Sequence, residues 1–279
     1  MSALPTALET PPVPPGRGEE PFGFLTWLLP LLVFAGLLGG WEFCVQAGIS
    51  TPVIIPAPSQ IGKAFITDWG LLGPALRSTL TTTFEGFALA VVGGAALAIL
   101  FSQSRLVEYA LYPYAVILQV TPILAIAPLL LIIMSQNAAI LVCAWLVAFF
   151  PVLSNTLIGL RSTDHNLLNL FELYGASGWQ KLWHLKLRAA LPYFLGGLRI
   201  AGGLSLIGAV VAELAAGTAG AKGGLGIIVL VSPRVYAFPR AYAALVLLSL
   251  VGILIFLLLS LLSHLLLRKW HESALTREN

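Results

Sequence analysis

The chain has 279 residues, of which 58% are apolar and only 10% charged, with a mean hydropathy of +0.92. A soluble domain has no use for so much apolar surface, and the long continuous apolar runs exclude a β-barrel, whose strands alternate over about ten residues. The net charge of +3 comes mainly from loop Lys and Arg, so it bears on orientation in a bilayer and not on nucleic acid.

In chain order, residues 1–23, "MSALPTALETPPVPPGRGEEPFG", are Pro-rich and polar, which predicts a disordered tail. The tail lacks the basic n-region of a cleaved signal peptide, so the first apolar run is expected to be a retained anchor. Six spans of roughly bilayer length follow. They cover Phe24–Val45, Ala75–Phe101, Leu111–Met134, Ala138–Leu160, Tyr193–Ala216 and Ala241–Leu267. The fold class is therefore all-α integral membrane, with the spanning part at 24–267 and a short tail at 268–279. Span three contains Pro113, Pro122 and Pro128, and the last two are expected to bend it. Cys44 and Cys143 lie in apolar runs and read as free buried thiols. His165, His184, His264 and His271 lack metal-ligand spacing, so no metal site is proposed.

Between spans one and two, a Pro-rich start followed by Ser59 as N-cap predicts a short interfacial helix. Between spans five and six, the glycines of "GTAGAKGGLG" mark a turn-rich loop. They do not form a phosphate cradle, because the Walker pattern is absent.

The loop at about 161–192 is longer than a connection requires. "NLLNLFELYG" places Leu167, Leu170, Phe171 and Tyr174 at helical spacing and ends at Gly175, as a helix closed by a C′ glycine would. "WQKLWHLKL" forms a second amphipathic segment through Trp179, Leu182, Trp183 and Lys186. Pro192 is then expected at the start of the fifth span. Such a pair of helices can lie in the headgroup layer on its two Trp, or dock its apolar side on a partner. With the N-terminus inside, Lys and Arg in the loops divide nine inside against five outside, which places this loop and both termini in the cytoplasm.

The stretch "YGASGWQKLWHLKLRAALPYFLGGLRIAGGLSLIGAVVAE" resembles permease subunits of bacterial binding-protein-dependent ABC importers, in the nitrate/sulfonate/taurine/bicarbonate branch. "IIPAPSQI", "FEGFALA", "TPILAIAPLLLI", "FFPVLSNT" and "LLRKWHE" fit the same branch in order, over roughly Trp41 to His271. Aligned on Gly175, the family's loop pattern (EAA, three residues, Gly, nine residues, I-x-L-P) falls on Asn169, Leu170, Phe171, Gly175, Leu185, Leu187 and Arg188. Asn169 replaces the family's Glu and Arg188 its Pro, Thr82 stands where an Arg is common, and "IIM" replaces a "WFG".

The resemblance implies a cytoplasmic-membrane importer subunit that hydrolyses nothing itself. It implies a homodimer of permeases, two cytoplasmic ABC ATPases carrying ATP and Mg, and a periplasmic or lipoprotein solute-binding protein. The coupling residues it implies are Asn169, Leu170, Phe171, Gly175, Trp179, Leu185, Leu187 and Arg188. The solute is a small polar one, of sulfonate, taurine, nitrate, bicarbonate or pyrimidine-precursor type. No cofactor is expected on this chain, and no nucleic acid.

Two intramembrane carboxylates are the remaining candidates. Gly202, Ser205, Ala209, Glu213 and Ala216 share one face of span five, with Ile200, Leu204, Ile207 and Val211 opposite. Glu213 and Ser205 therefore face protein or a water-filled path. Ser78, Thr81, Thr82 and Glu85 form a polar strip on span two, which either lines a solute path or emerges into water or a neighbouring subunit. Arg199, two turns into span five, either snorkels or makes a bundle salt bridge. A carrier driven by an ion gradient is the alternative function. It would show internal repeats and midplane charges, and neither is evident.

Overall fold

The computed structural model describes residues 25–49, 54–220 and 223–271, and those residues form helices and turns with no strand among them. The chain divides into two compact units, Met1–Pro52 and Val53–Asn279. Among the described residues, the first holds one helix, α1 (Leu25–Gln46). The second holds α2 (Pro58–Thr67), α3 (Trp69–Gln103), α4 (Arg105–Val120), α5 (Ile123–Ile133), α6 (Gln136–Arg161), α7 (His165–Leu173), α8 (Gly178–Lys181), α9 (Leu187–Thr218), α10 (Leu225–Val231) and α11 (Phe238–His271). The expected tail at 1–23 lies outside the described residues. In the tail expected at 268–279, α11 runs on to His271, and 272–279 lie outside the described residues.

Among the described residues, five helical stretches are long and apolar enough to cross a membrane: α1, α3, α6, the continuous Gly178–Thr218 helix and α11. The third expected span is two helices, α4 and α5, bent by 98° at Thr121–Pro122. Proline has no N–H, and its ring blocks the carbonyl four residues back and pushes the preceding residue out of the helical region. Thr121 accordingly has ψ 124, and its hydroxyl donates to the Ile117 carbonyl at 2.6 Å, which satisfies one of the acceptors freed by the break. Pro113 and Pro128 stay inside α4 and α5. Of the three prolines, only Pro122 breaks the span.

The sequence expectation also fails at two helix starts. Ser59 does not cap α2. Pro58 occupies the first turn instead, and the Gln60 side chain accepts from the Ala57 N–H at 3.1 Å. Pro192 does not open span five either, because the helix has already run unbroken from Gly178 through a π turn at Leu182–Lys186. One missing hydrogen bond inside a long helix is a local loss that this helix absorbs.

α6 is the axis of the second unit and packs against both α3 and α9, which also touch each other. The contact requires small residues. A Cβ on Gly86 of α3 would lie 2.6 Å from Ala144 Cβ, and one on Gly208 of α9 would lie 2.7 Å from the Cys143 carbonyl oxygen. Three helices thus meet at one level of α6 with their backbones nearly in contact, as small residues permit in lipid, where apolar surface alone gives no reason to associate. Phe101, Leu153, Leu160, Leu182 and Leu195 fill the space towards the end where α3 and α6 stop and α9 begins.

At the other end, Arg240 of α11 donates to Asp68 at 2.8 Å, at the single-residue joint between α2 and α3. Cys143 is buried, but Cys44 is exposed, because an apolar run in a membrane chain does not imply burial in protein.

Candidate functional site

Three groups of residues carry the polar chemistry, and the second and third adjoin on α3, where Thr82 of the third donates to the carbonyl of Thr79 of the second. The first is the loop after α6. Asp164 caps α7 by accepting from the Asn166 N–H at 2.8 Å. At the other end Gly175 has φ +71, the Gly175 N–H donates to the Glu172 carbonyl at 2.9 Å, and the Ala176 N–H donates to the Phe171 carbonyl at 2.9 Å. This pair of bonds is a Schellman closure, which a glycine at this position makes without a Cβ clash.

Ser177 and Gln180 then cap α8 reciprocally, hydroxyl to Gln180 N–H and amide oxygen to Ser177 N–H. Lys181 donates to Glu172 at 2.8 Å across the turn, and this bond and charge hold the Glu172 carboxyl below the usual carboxylate range. Arg161 and Glu108 form a second ion pair, tying the end of α6 to the first turn of α4.

The corner leaves apolar side chains uncovered. Leu170, Tyr174, Trp179 and Trp183 are exposed, the two tryptophans at 67% and 64%. Leu170, Phe171, Tyr174, Ala176, Gln180 and His184 line a groove of about 370 Å³. Asn169, Gly175 and Arg188 are exposed, and Leu185 and Leu187 half-buried. Of the expected loop residues, Leu170 and Phe171 stand in the groove wall.

The second group surrounds Glu213. Gly202, Ser205, Ala209, Glu213 and Ala216 are all buried, while Ile200 and Ile207 are exposed on the opposite face of α9. Glu213 is 1% exposed. It accepts from the Thr79 hydroxyl and the Gly226 N–H, both at 2.8 Å, and the Thr79 oxygen in turn accepts from the Leu225 N–H at 2.9 Å. One carboxylate thus joins α3, α9 and the first turn of α10, whose free N–H groups need acceptors. Ser205 donates to the Thr83 carbonyl at 2.9 Å, a further stitch between α9 and α3. Both residues sit in helix junctions. Arg199 makes no salt bridge among the described residues, and its guanidinium lies 5.8 Å from the Phe256 ring centre.

The third group is an open cleft of about 550 Å³ on α3, lined by Arg77, Ser78, Thr81, Thr82 and Glu85, with Asn137 from the start of α6. Thr81, Glu85 and Arg77 are exposed, and Thr82 is buried at the cleft floor. The sequence strip is therefore one surface, but two members were not foreseen. Arg77 is one turn before Thr81 on the same face, so its position was legible. Asn137 comes from another helix and left no local signal, and the same holds for Thr79 as the partner of Glu213.

The profile of a family described as "binding-protein-dependent transport system inner membrane component" matches residues 90–272. The chain is 35% identical over 246 residues to a formylaminopyrimidine transport permease protein of Halalkalibacterium halodurans, covering 86% of this chain and 95% of that one. It is 31% identical over 262 residues to a riboflavin transport system permease protein of Chloroflexus aurantiacus, covering 92% and 93%. It is 30% identical over 220 residues to a nitrate import permease protein of a Synechocystis species, covering 74% and 79%. A bundle of membrane-crossing helices and a family match over most of the chain lead to one conclusion: the protein belongs to the family of binding-protein-dependent transport system inner membrane components and is a multi-pass ABC transporter permease.

Proposed function

We propose that this permease imports a small polar solute across the cytoplasmic membrane, as a homodimer whose termini and 161–192 corner lie in the cytoplasm. The chain itself is not the ATPase of the system. Two ABC ATPase subunits, carrying ATP and Mg, would grip the corner formed by Asn169, Leu170, Phe171 and Gly175 on one helix and Trp179 on the next. A solute-binding protein would deliver cargo at the opposite side.

The observation that carries the reading is the unbroken Gly178–Thr218 helix. Its first turns carry the docking corner, and its far end carries Glu213 at the junction with α3 and α10. A push on α7 and α8 is therefore delivered along one rod, through Leu185, Leu187 and Arg188, to the bundle. Rigid-body rocking of that kind alternates the open side of a transporter.

The test is purification of the tagged protein from its own cells in mild detergent, with its companions identified by mass spectrometry. Recovery of a Walker-motif ATPase, lost in Gly175→Val but kept in a Glu85→Gln control, is the expected result. If no ATPase is recovered and uptake collapses with a protonophore, the protein is a gradient-driven carrier.

A further inference from the structure

We infer that the cavity at the α4–α5 break is a solute site of this permease, built for a neutral molecule that both donates and accepts hydrogen bonds. The inference rests on the import reading above and names its class of cargo. The cavity holds about 330 Å³ and lies between the break (Gln119, Thr121, Ile123), α6 (Leu146, Pro151) and Leu204 of α9. Leu146 stands ten residues after the start of α6 and Pro151 ten before its end. This wall is therefore about 15 Å from either end of a spanning helix, near the middle of the bilayer.

Two of the walls have interrupted backbone hydrogen bonding. At the break, the Ala125 and Ile126 N–H groups both donate to the Pro122 carbonyl. The N–H groups of Ile123 and Leu124 come too early in α5 to find a helical acceptor. The last carbonyls of α4, at Leu118, Gln119 and Val120, lose their helical donors in the same way. In α6, Pro151 has no N–H, so the carbonyl of Val147, which also lines the cavity, loses its own.

Gln119, Val120 and Pro122 are exposed. Open backbone at this depth is tolerated only against protein or a water-filled space, because lipid offers it no partner. A pocket walled by three parts of one chain, apolar except for a few polar groups, has the make-up of a ligand site.

Those polar groups set the class of ligand. The α5 N–H groups and the Gln119 amide donate. The α4 carbonyls, the Gln119 oxygen and the Thr121 oxygen, whose proton is committed to Ile117, accept. Among the described residues, no charged side chain lines the cavity. The positive end of α5 and the negative end of α4 meet at Thr121–Pro122, so their partial charges largely cancel for an ion. Nitrate or a sulfonate would set its oxygens against the carbonyls, whereas an amide or an aminopyrimidine satisfies donors and acceptors together.

The test places Gln119→Cys and, separately, Ile123→Cys in a Cys44→Ser background, where buried Cys143 is the other thiol. Opened membrane vesicles are treated with a charged methanethiosulfonate. Both thiols are expected to react about tenfold faster than one at Leu257→Cys, exposed on α11, where hydrocarbon suppresses the reactive thiolate. Cytosine, nitrate and methanesulfonate are then added in turn. Cytosine is expected to slow the labelling about threefold when two-thirds of the sites are filled, and the two anions to leave it unchanged.

Equal slowing by an anion, no slowing by any of the three, or thiols no faster than the Leu257→Cys control overturns the inference. A second copy seated on the break would give the last of these results. Protection needs no ATP, so the two readings fail separately. If no ATPase accompanies the protein while cytosine protects, the import reading fails and the site stands. If the ATPase is recovered and the thiols stay unreactive, the site fails and the import reading stands.

Discussion

Glu213 joins three elements, and its neighbours are shaped to admit it. Gly224 has φ +83, and a Cβ there would lie 2.4 Å from the Glu213 carboxyl carbon. Removing the carboxylate leaves the Gly226 N–H and the Thr79 hydroxyl buried without their acceptor, and it opens a cavity. Glu213→Ala is expected to cost about 2–4 kcal/mol, read as a lowered Tm in detergent. Glu213→Gln is expected to keep most of the stability, since its oxygen can accept from Gly226 and its amide can donate to the Thr79 oxygen. Equal losses in the two variants would contradict a role built on these two hydrogen bonds. The buried face of α9 was legible from helical periodicity. The partner of its carboxylate was not, because Thr79 lies 134 residues away in the chain.

At the scale of elements, the α7–α8 corner couples turn chemistry to charge. Its Gly175 closure could be read from one glycine after an apolar period, because a helix end is decided locally. The Glu172–Lys181 bond that braces the corner is exposed on the carboxylate side and screened by salt. Glu172 titrates at a lowered value in the folded corner, so its contribution is complete above the free carboxylate value of about 4.3 and is lost as pH falls through the lowered one. Hydrogen exchange of the α7 amides is expected to be unchanged by this pair between pH 8 and 5, and to quicken on further acidification after correction for intrinsic exchange. Glu172→Gln should abolish that acid-dependent change. A change centred near neutral pH would assign the brace to another group.

At the scale of the whole molecule, the second unit depends on how closely α3 and α9 approach α6. Gly86→Ala and Gly208→Ala would each push a methyl into α6, against the Ala144 side chain or the Cys143 carbonyl. Each is expected to cost about 1–3 kcal/mol. Because both meet α6 at the same level, the double variant should depart from the sum of the singles. Gly203→Ala, where a Cβ would meet nothing within 4 Å, is the control expected to stay within 0.5 kcal/mol of the parent. Detergent-resistant thermal unfolding across this set checks the packing, and a normal Gly208→Ala would refute it.

By itself the sequence determined the positions of the apolar stretches, the inward face of α9, the Gly175 corner and the polar strip on α3. Each of these depends on residues within a few turns of one another, and hydrophobic periodicity or turn chemistry reads at that range. Tertiary structure decided the rest. It turned span three through 98° at one of three prolines, carried the loop's second segment into span five as a single helix, and brought Asn137 to the α3 cleft. A proline states that a hydrogen bond is lost, but only the neighbouring helices determine whether the chain absorbs the loss or turns. Likewise, a buried carboxylate requires donors, and which residues supply them depends on the packing of distant helices.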